Sequence, residues 1–314
     1  MSTTGRAPTP ETVAAPAADA PYGPAGRSAW LDIDWRSKQS WVLVHGQPVN
    51  TIQLGPKGAP PLVFIHGLSG SWVNWLEQLP VFAAEHRVLA FDLPGFGHSP
   101  MPSFEISISA YARLLEHLFD ELEIDAAAVV GNSMGGFIAA ELAIAFPQRV
   151  ERLVLVSAAG ISSFDNRQAL GVLPGLRRAE RILMASTAWF ASKSDAVAAR
   201  PRLRDATLLA VLAHPSRLPA ALAAEQLRGA GKPGFIPALA ANLNYGFRER
   251  LSEIACPTLI VWGDNDRIIT VRDSDVFAEL IPNSRKSVFA DTGHMAMLER
   301  PVAFNPLLAE FLRE

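Results

Sequence analysis

Hydrophobic and polar positions alternate in blocks along most of the chain. Short runs of β-branched, aromatic and aliphatic residues end in glycine, aspartate or proline. Between them lie longer stretches whose apolar positions recur at helical spacing. The first pattern fits strands buried on both faces, and the second fits helices with one apolar side. Residues 38–54 predict two strands around the turn signal "HGQP". Further strands are predicted at 59–67 ("APPLVFIHG"), 87–97, 126–133, 150–160, 256–266 and 284–294. Helices are predicted at "WLEQLPVFAAEH", at 107–122 with Ser107 as N-cap, at "MGGFIAAELAIAFP" and at "VRDSDVFAELIP". The closing "PVAFNPLLAEFLRE" is predicted to be a helix that Pro301 starts and Pro306 shortens.

Strands alternating with helices imply the α/β class, with a mostly parallel sheet flanked by helices. Ligands bind such sheets beyond the carboxyl ends of the strands. Candidate chemistry is therefore sought at "HGLSG", "DLPGFGHS", "GNSMGG", "SAAG", "GDND" and "DTGH". The alternation breaks between residues 161 and 250, where helical patterns are punctuated by prolines such as Pro174, Pro201, Pro215 and Pro233. The expected organisation is a disordered tail over 1–28, a core made of 29–160 and 251–314, and an inserted helical cap over 161–250.

Composition narrows the partners. The 314 residues are 49% hydrophobic with a net charge of −3, so there is no basic footprint for nucleic acid. Cys256 is the single cysteine, which excludes an internal disulfide. No His-x-x-x-His or Cys-x-x-Cys pair is present, so neither a metal nor a cofactor is expected. The N-terminus lacks an apolar signal core, and no run is long enough to suggest an integral membrane segment. The expectation is a cytoplasmic protein acting on a small molecule. Its oligomeric state is left open.

Gly131-Asn132-Ser133-Met134-Gly135 fits G-x-S-x-G between a predicted strand and a predicted helix. A serine at such a sharp turn is held in a strained conformation that small neighbours permit. It needs a base, and only His214 and His294 follow it in the chain. His294 ends a strand at the sheet's carboxyl edge, whereas His214 lies in the expected cap. Asp266 or Asp264 in "VWGDNDRI" would orient the base, and Asp266 is favoured because it lies further out along the loop. The Met134 amide, and the Leu68 amide after "VFIHG", are the expected oxyanion donors. His66 is expected to be structural.

The motifs "HGLSGSWVNW", "FDLPGFGHS", "GNSMGG", "VWGDNDRI" and "DTGHMAMLERP" resemble the α/β-hydrolase superfamily in order and spacing. The resemblance covers residues 38–314 outside the cap detail, and it implies a serine hydrolase with a helical cap. Haloalkane dehalogenases and epoxide hydrolases of this fold carry aspartate at the elbow, which Ser133 argues against. "GNSMGG" is similar to carbon–carbon hydrolases of aromatic ring-cleavage products, in which the asparagine binds substrate; here that is Asn132. Members of that branch carry "HGxGPG" and "GHW", whereas this chain has "HGLSGS" and "GHMAML". Those departures look more like capped carboxylesterases, whose lid aromatics would here include Trp189 and Phe190. The leading expectation is therefore hydrolysis of a carboxylic ester through an acyl-enzyme. Cleavage of a vinylogous diketone is the first alternative, and a catalytically silent binding protein the second.

Overall fold

Each apolar run becomes a strand because every second side chain has a different core to enter. The computed structural model describes residues 11–12, 21–162 and 191–314. Its strands are β1 (Glu11–Thr12), β2 (Gln39–Val44), β3 (Gln47–Leu54), β4 (Pro61–Ile65) and β5 (Arg87–Phe91). They continue with β6 (Ala127–Asn132), β7 (Val150–Val156), β8 (Thr258–Gly263) and β9 (Ser284–Phe289). Together they form one sheet in the order β1-β9-β8-β7-β6-β4-β5-β3-β2. Antiparallel pairing is confined to β2 on β3 and β3 on β5; the remaining pairs are parallel.

Along β4, Val63 and Ile65 enter one core while Leu62 and Phe64 enter the other. Likewise Leu153 and Leu155 of β7 face away from Val154 and Val156, and Ile260 and Trp262 of β8 face away from Leu259 and Val261. All of these side chains are buried, which is the physical content of a continuous apolar run. One core is closed by α2 (Ile108–Glu121) and α3 (Met134–Ala145). The other is closed by α1 (Leu79–Phe82) and by two C-terminal helices described below.

Several boundaries depart from expectation. Only α1 forms as helix in "WLEQLPVFAAEH", after a 3-10 turn at Trp72–Trp75. Pro80 lacks an amide donor, so it starts a helix there instead of continuing one. The helix α2 does begin at Ser107, whose Oγ accepts from the Ala110 amide at 3.1 Å. The tail expected over 1–28 is packed from at least residue 22: Tyr22 is 9% exposed, and β1 adds to the sheet beside β9. The chain here uses a single large aromatic rather than an apolar run, so its composition resembles disorder.

The segment 191–250 holds α4 (Ser194–Ala198), α5 (Pro201–Leu208), α6 (Ala220–Arg228) and α7 (Phe235–Asn244). Trp189 and Phe190 lie outside the described residues. Phe247 packs on Phe137 at 4.4 Å between ring centroids, so it belongs to the main core. After β8 comes α8 (Arg272–Leu280), and after β9 come α9 (Ala296–Glu299) and α10 (Pro301–Arg313). The last runs straight through Pro306. The donor that Pro306 lacks would have served Val302, a partly exposed residue on the solvent side, where water can take its place. No described helix is long and apolar enough to cross a membrane.

Backbone meets backbone closely where α3 leaves β6. A Cβ on Gly135 would lie 2.3 Å from the Ile65 carbonyl oxygen and 2.5 Å from that of His66. Gly135→Ala is therefore expected to cost about 2–4 kcal/mol. Urea unfolding measures this against Gly58→Ala, where a Cβ meets nothing within 4 Å.

Candidate active site

Ser133 sits between β6 and α3 with φ 57° and ψ −120°, a conformation L-residues rarely hold. Three backbone bonds keep it there. Its amide donates to Val156 at 2.9 Å, and its carbonyl accepts from Phe137 at 3.1 Å and from Ala159 at 3.0 Å. Gly131 makes room for the turn: a Cβ there would lie 2.3 Å from the Gly135 carbonyl oxygen. The Ser133 hydroxyl does not cap α3 and is left to face a cavity of about 460 Å³.

His294 lines the same cavity and is 5% exposed. Its Nδ1 meets Asp266 Oδ2 at 2.8 Å. The other Asp266 oxygen accepts from the amides of Ile268 at 2.9 Å and Ile269 at 3.0 Å, which fixes the carboxylate plane. Asp264 has a different task, accepting from the Thr292 amide at 3.3 Å. His214 pairs with Asp291 at 2.6 Å on the surface, and no contact joins it to Ser133. Ser133 and His294 thus line one cavity, and Asp266 holds the far side of the imidazole.

Gly67 lies against Ser133, since a Cβ at Gly67 would be 3.1 Å from the Ser133 Cβ. This brings the Leu68 loop to the serine. Neither the Leu68 nor the Met134 amide donates to another described residue. Both N–H groups are therefore without an acceptor among the described residues. His66 is bound on both sides: Nε2 accepts from the Leu93 amide at 3.0 Å, and Nδ1 donates to the Gly67 carbonyl at 2.8 Å. Burial pushes its pKa down, so it is a neutral strut in the loop.

Asn132 is 2% exposed, and its Nδ2 donates to two carbonyls, Val156 at 3.1 Å and His294 at 3.2 Å. The second bond ties the serine turn to the histidine loop across 162 residues of chain. Local sequence gave no signal for it.

The cavity's remaining lining includes Leu203, Leu208, Val211 and Leu227 from the 191–250 segment. Two amides that sequence reasoning missed also line it: Asn74 Nδ2 donates to Gln226 Oε1 at 2.7 Å. Asn74 could have been found in "HGLSGSWVNW", but Gln226 lies in a helix with no motif. Apart from His294, no ionisable side chain lines the cavity among the described residues. Elsewhere Glu116, His117 and Asp120 offer ligand atoms within 4.8 Å of one another, but Arg149 already binds both carboxylates.

The fold and the site define a class, and comparison with known proteins agrees. The model of the alpha/beta hydrolase fold family matches residues 60–301, and the chain belongs to that family. A 2-hydroxy-6-oxononadienedioate/2-hydroxy-6-oxononatrienedioate hydrolase of Cupriavidus pinatubonensis is 34% identical over 81% of this chain and 87% of its own. The dihydrolipoyllysine-residue acetyltransferase component of an acetoin cleaving system of Cupriavidus necator is 32% identical over 81% of this chain and 64% of its own. Among solved structures, a meta-cleavage product hydrolase from Pseudomonas fluorescens superposes with a TM-score of 0.67 at 24% identity, covering 87% of this chain and 97% of that one. That likeness carries the fold. The elbow comparison made from "GNSMGG" stands with these relatives.

Asp92, at the tip of β5, orders the loops beside the site. It is fully buried and accepts from Asn50 Nδ2 at 2.8 Å, the Trp72 amide at 3.0 Å and the His98 amide at 2.8 Å. Burial alone would raise its pKa, but these bonds and the His98 side chain hold it below the ordinary value. Its stabilisation is therefore complete above the unfolded pKa of about 3.9 and is lost as pH falls through the folded value. Asp92→Asn is expected to lower stability at pH 7 and to flatten its fall below about pH 4. Urea midpoints across that range check both.

Proposed function

We propose that this hydrolase breaks a carbon–carbon bond beside a ketone, in a vinylogous diketone of the ring-cleavage type. What carries the reading is agreement between the Gly131-Asn132-Ser133-Met134-Gly135-Gly136 elbow and the names borne by relatives at 34% identity. In it, Ser133 Oγ attacks the ketone carbon while His294 Nε2 takes the hydroxyl proton. The Nδ1–H of His294 donates to Asp266 and fixes the tautomer. The Leu68 and Met134 amides hold the oxyanion. The carbon leaving group departs as an enolate and takes a proton. Water, deprotonated by His294, then releases the acyl half as a carboxylic acid. The 191–250 helices act as a cap over the cavity.

Ester hydrolysis, the leading expectation from sequence, becomes the second reading. One observation favours it: the apolar cavity offers no described cation to a substrate carboxylate, and an unpaired charge is costly to bury. The same machinery would then attack an uncharged ester anchored by Asn74 and Gln226.

Two assays on purified protein separate these readings: loss of the near-ultraviolet absorbance of a ring-cleavage dienol, and release of p-nitrophenol from a butyrate ester. The proposal expects kcat/KM for the dienol to exceed that for the ester at least about tenfold. It expects Ser133→Ala to lower both by roughly a thousandfold or more. The opposite ratio selects the ester reading. A folded protein inert to both substrates and to a fluorophosphonate probe would select the silent binding protein.

A further inference from the structure

Glu299, one turn beyond His294, is fully buried, and every contact of its carboxylate is a donor. Oε2 accepts from the Gly293 amide at 3.0 Å, the Ala213 amide at 2.8 Å and the Tyr22 hydroxyl at 2.8 Å. Oε1 accepts from the Met295 amide at 3.2 Å. Gly293 and Met295 are the two neighbours of His294 in the chain. One carboxylate thus holds the backbone on both sides of the histidine. Four donors and no acceptor favour the ionised form, against burial, which pushes the Glu299 pKa up.

The same carboxylate reaches beyond that loop. Ala213 belongs to the 191–250 segment, and the His214 amide donates to the Tyr22 hydroxyl at 3.0 Å. The His294 amide itself donates to Val211 at 3.0 Å. On the N-terminal side, the Gly23 amide donates to the Glu299 carbonyl at 2.7 Å. Three parts of the chain that lie far apart in sequence meet at this side chain: residues 22–23, 211–214 and 293–295.

We infer that Glu299 is a positioning residue for His294, and that Tyr22 completes its coordination by strapping the N-terminal segment across the cap. Neither group itself lines the cavity. Their effect runs through the histidine backbone: a carboxylate that binds both flanking amides limits rotation of the imidazole off the serine. Asp266 faces the same imidazole directly. Arg300 and Arg217 lie over the Tyr22 ring, at 5.1 Å and 4.9 Å from its centroid, and the His214–Asp291 pair lies further out.

The inference rests on His294 serving as base to Ser133, so its test needs a readout that fails separately. Fluorophosphonate labelling of the full chain supplies one without any knowledge of the substrate. Wild type, Glu299→Gln and Tyr22→Phe are labelled across pH 5–9, with Tm recorded for each. Glutamine offers one acceptor oxygen where two are used, and its amide hydrogens oppose the remaining donors. The expected result is a labelling rate lowered at least about tenfold in Glu299→Gln and about threefold in Tyr22→Phe. In Glu299→Gln the loss is present at every pH in that range, at a temperature where the variant is folded. A variant that loses Tm but keeps the wild-type rate at a temperature where it is folded overturns the inference. If Glu299→Gln does not fold, Tyr22→Phe decides: a wild-type rate there overturns it. A wild-type protein that is not labelled at all instead defeats the Ser133–His294 reading beneath it.

Discussion

Everything at the site depends on a backbone that a serine resists. Holding Ser133 at φ 57° costs on the order of 1–3 kcal/mol, and the surrounding structure must supply that. Three backbone bonds to β7 and its loop and to α3 do so, and the glycines at 131 and 135 remove the Cβ atoms that would forbid the turn. The strain has a geometric result. The hydroxyl cannot fold back to cap α3 and projects into the cavity, while the Met134 amide at the start of the helix stays free. One constrained residue thereby places a cavity-facing hydroxyl next to an unpaired amide.

Those parts were legible in the sequence because each follows from a local rule. A run buried on both faces reads as a parallel strand, and a small-residue turn between strand and helix reads as an elbow. Chain order on a parallel sheet then puts the loops of Asp266 and His294 on the same edge. The fold class needed nothing more, and the family match over residues 60–301 agrees with it.

What the sequence concealed is the bonding that crosses between these local units. Tyr22 is a lone aromatic in an Ala/Pro-rich stretch, and its partner Glu299 is 277 residues away. Glu299 stands in "DTGHMAMLERP" with no role assigned from sequence, yet it is fully buried. Gln226 meets Asn74 across 152 residues, between a helix and a loop that share no pattern. Periodicity reports which face of an element is buried. It carries no information about which polar group on another element will satisfy a buried one. The Pro306 helix fails in the opposite sense: a strong local rule was overridden because the carbonyl it leaves unpaired faces solvent.

Asn132 shows how the two kinds of information combine. As a sequence feature it suggested a substrate contact; in the structure its amide nitrogen is committed to the carbonyls of Val156 and His294. Only its oxygen remains for a ligand, at the Gly67 side of the cavity, where a Cβ on Gly67 would lie 3.3 Å away. An acceptor oxygen can take a hydrogen bond from an enol but can only repel a carboxylate. The residue therefore does two things at once: it ties the serine turn to the histidine loop, and it leaves a neutral acceptor at the cavity wall. Any ligand bound near Ser133 must offer a donor or an apolar surface there, and that constraint holds whichever bond is cleaved.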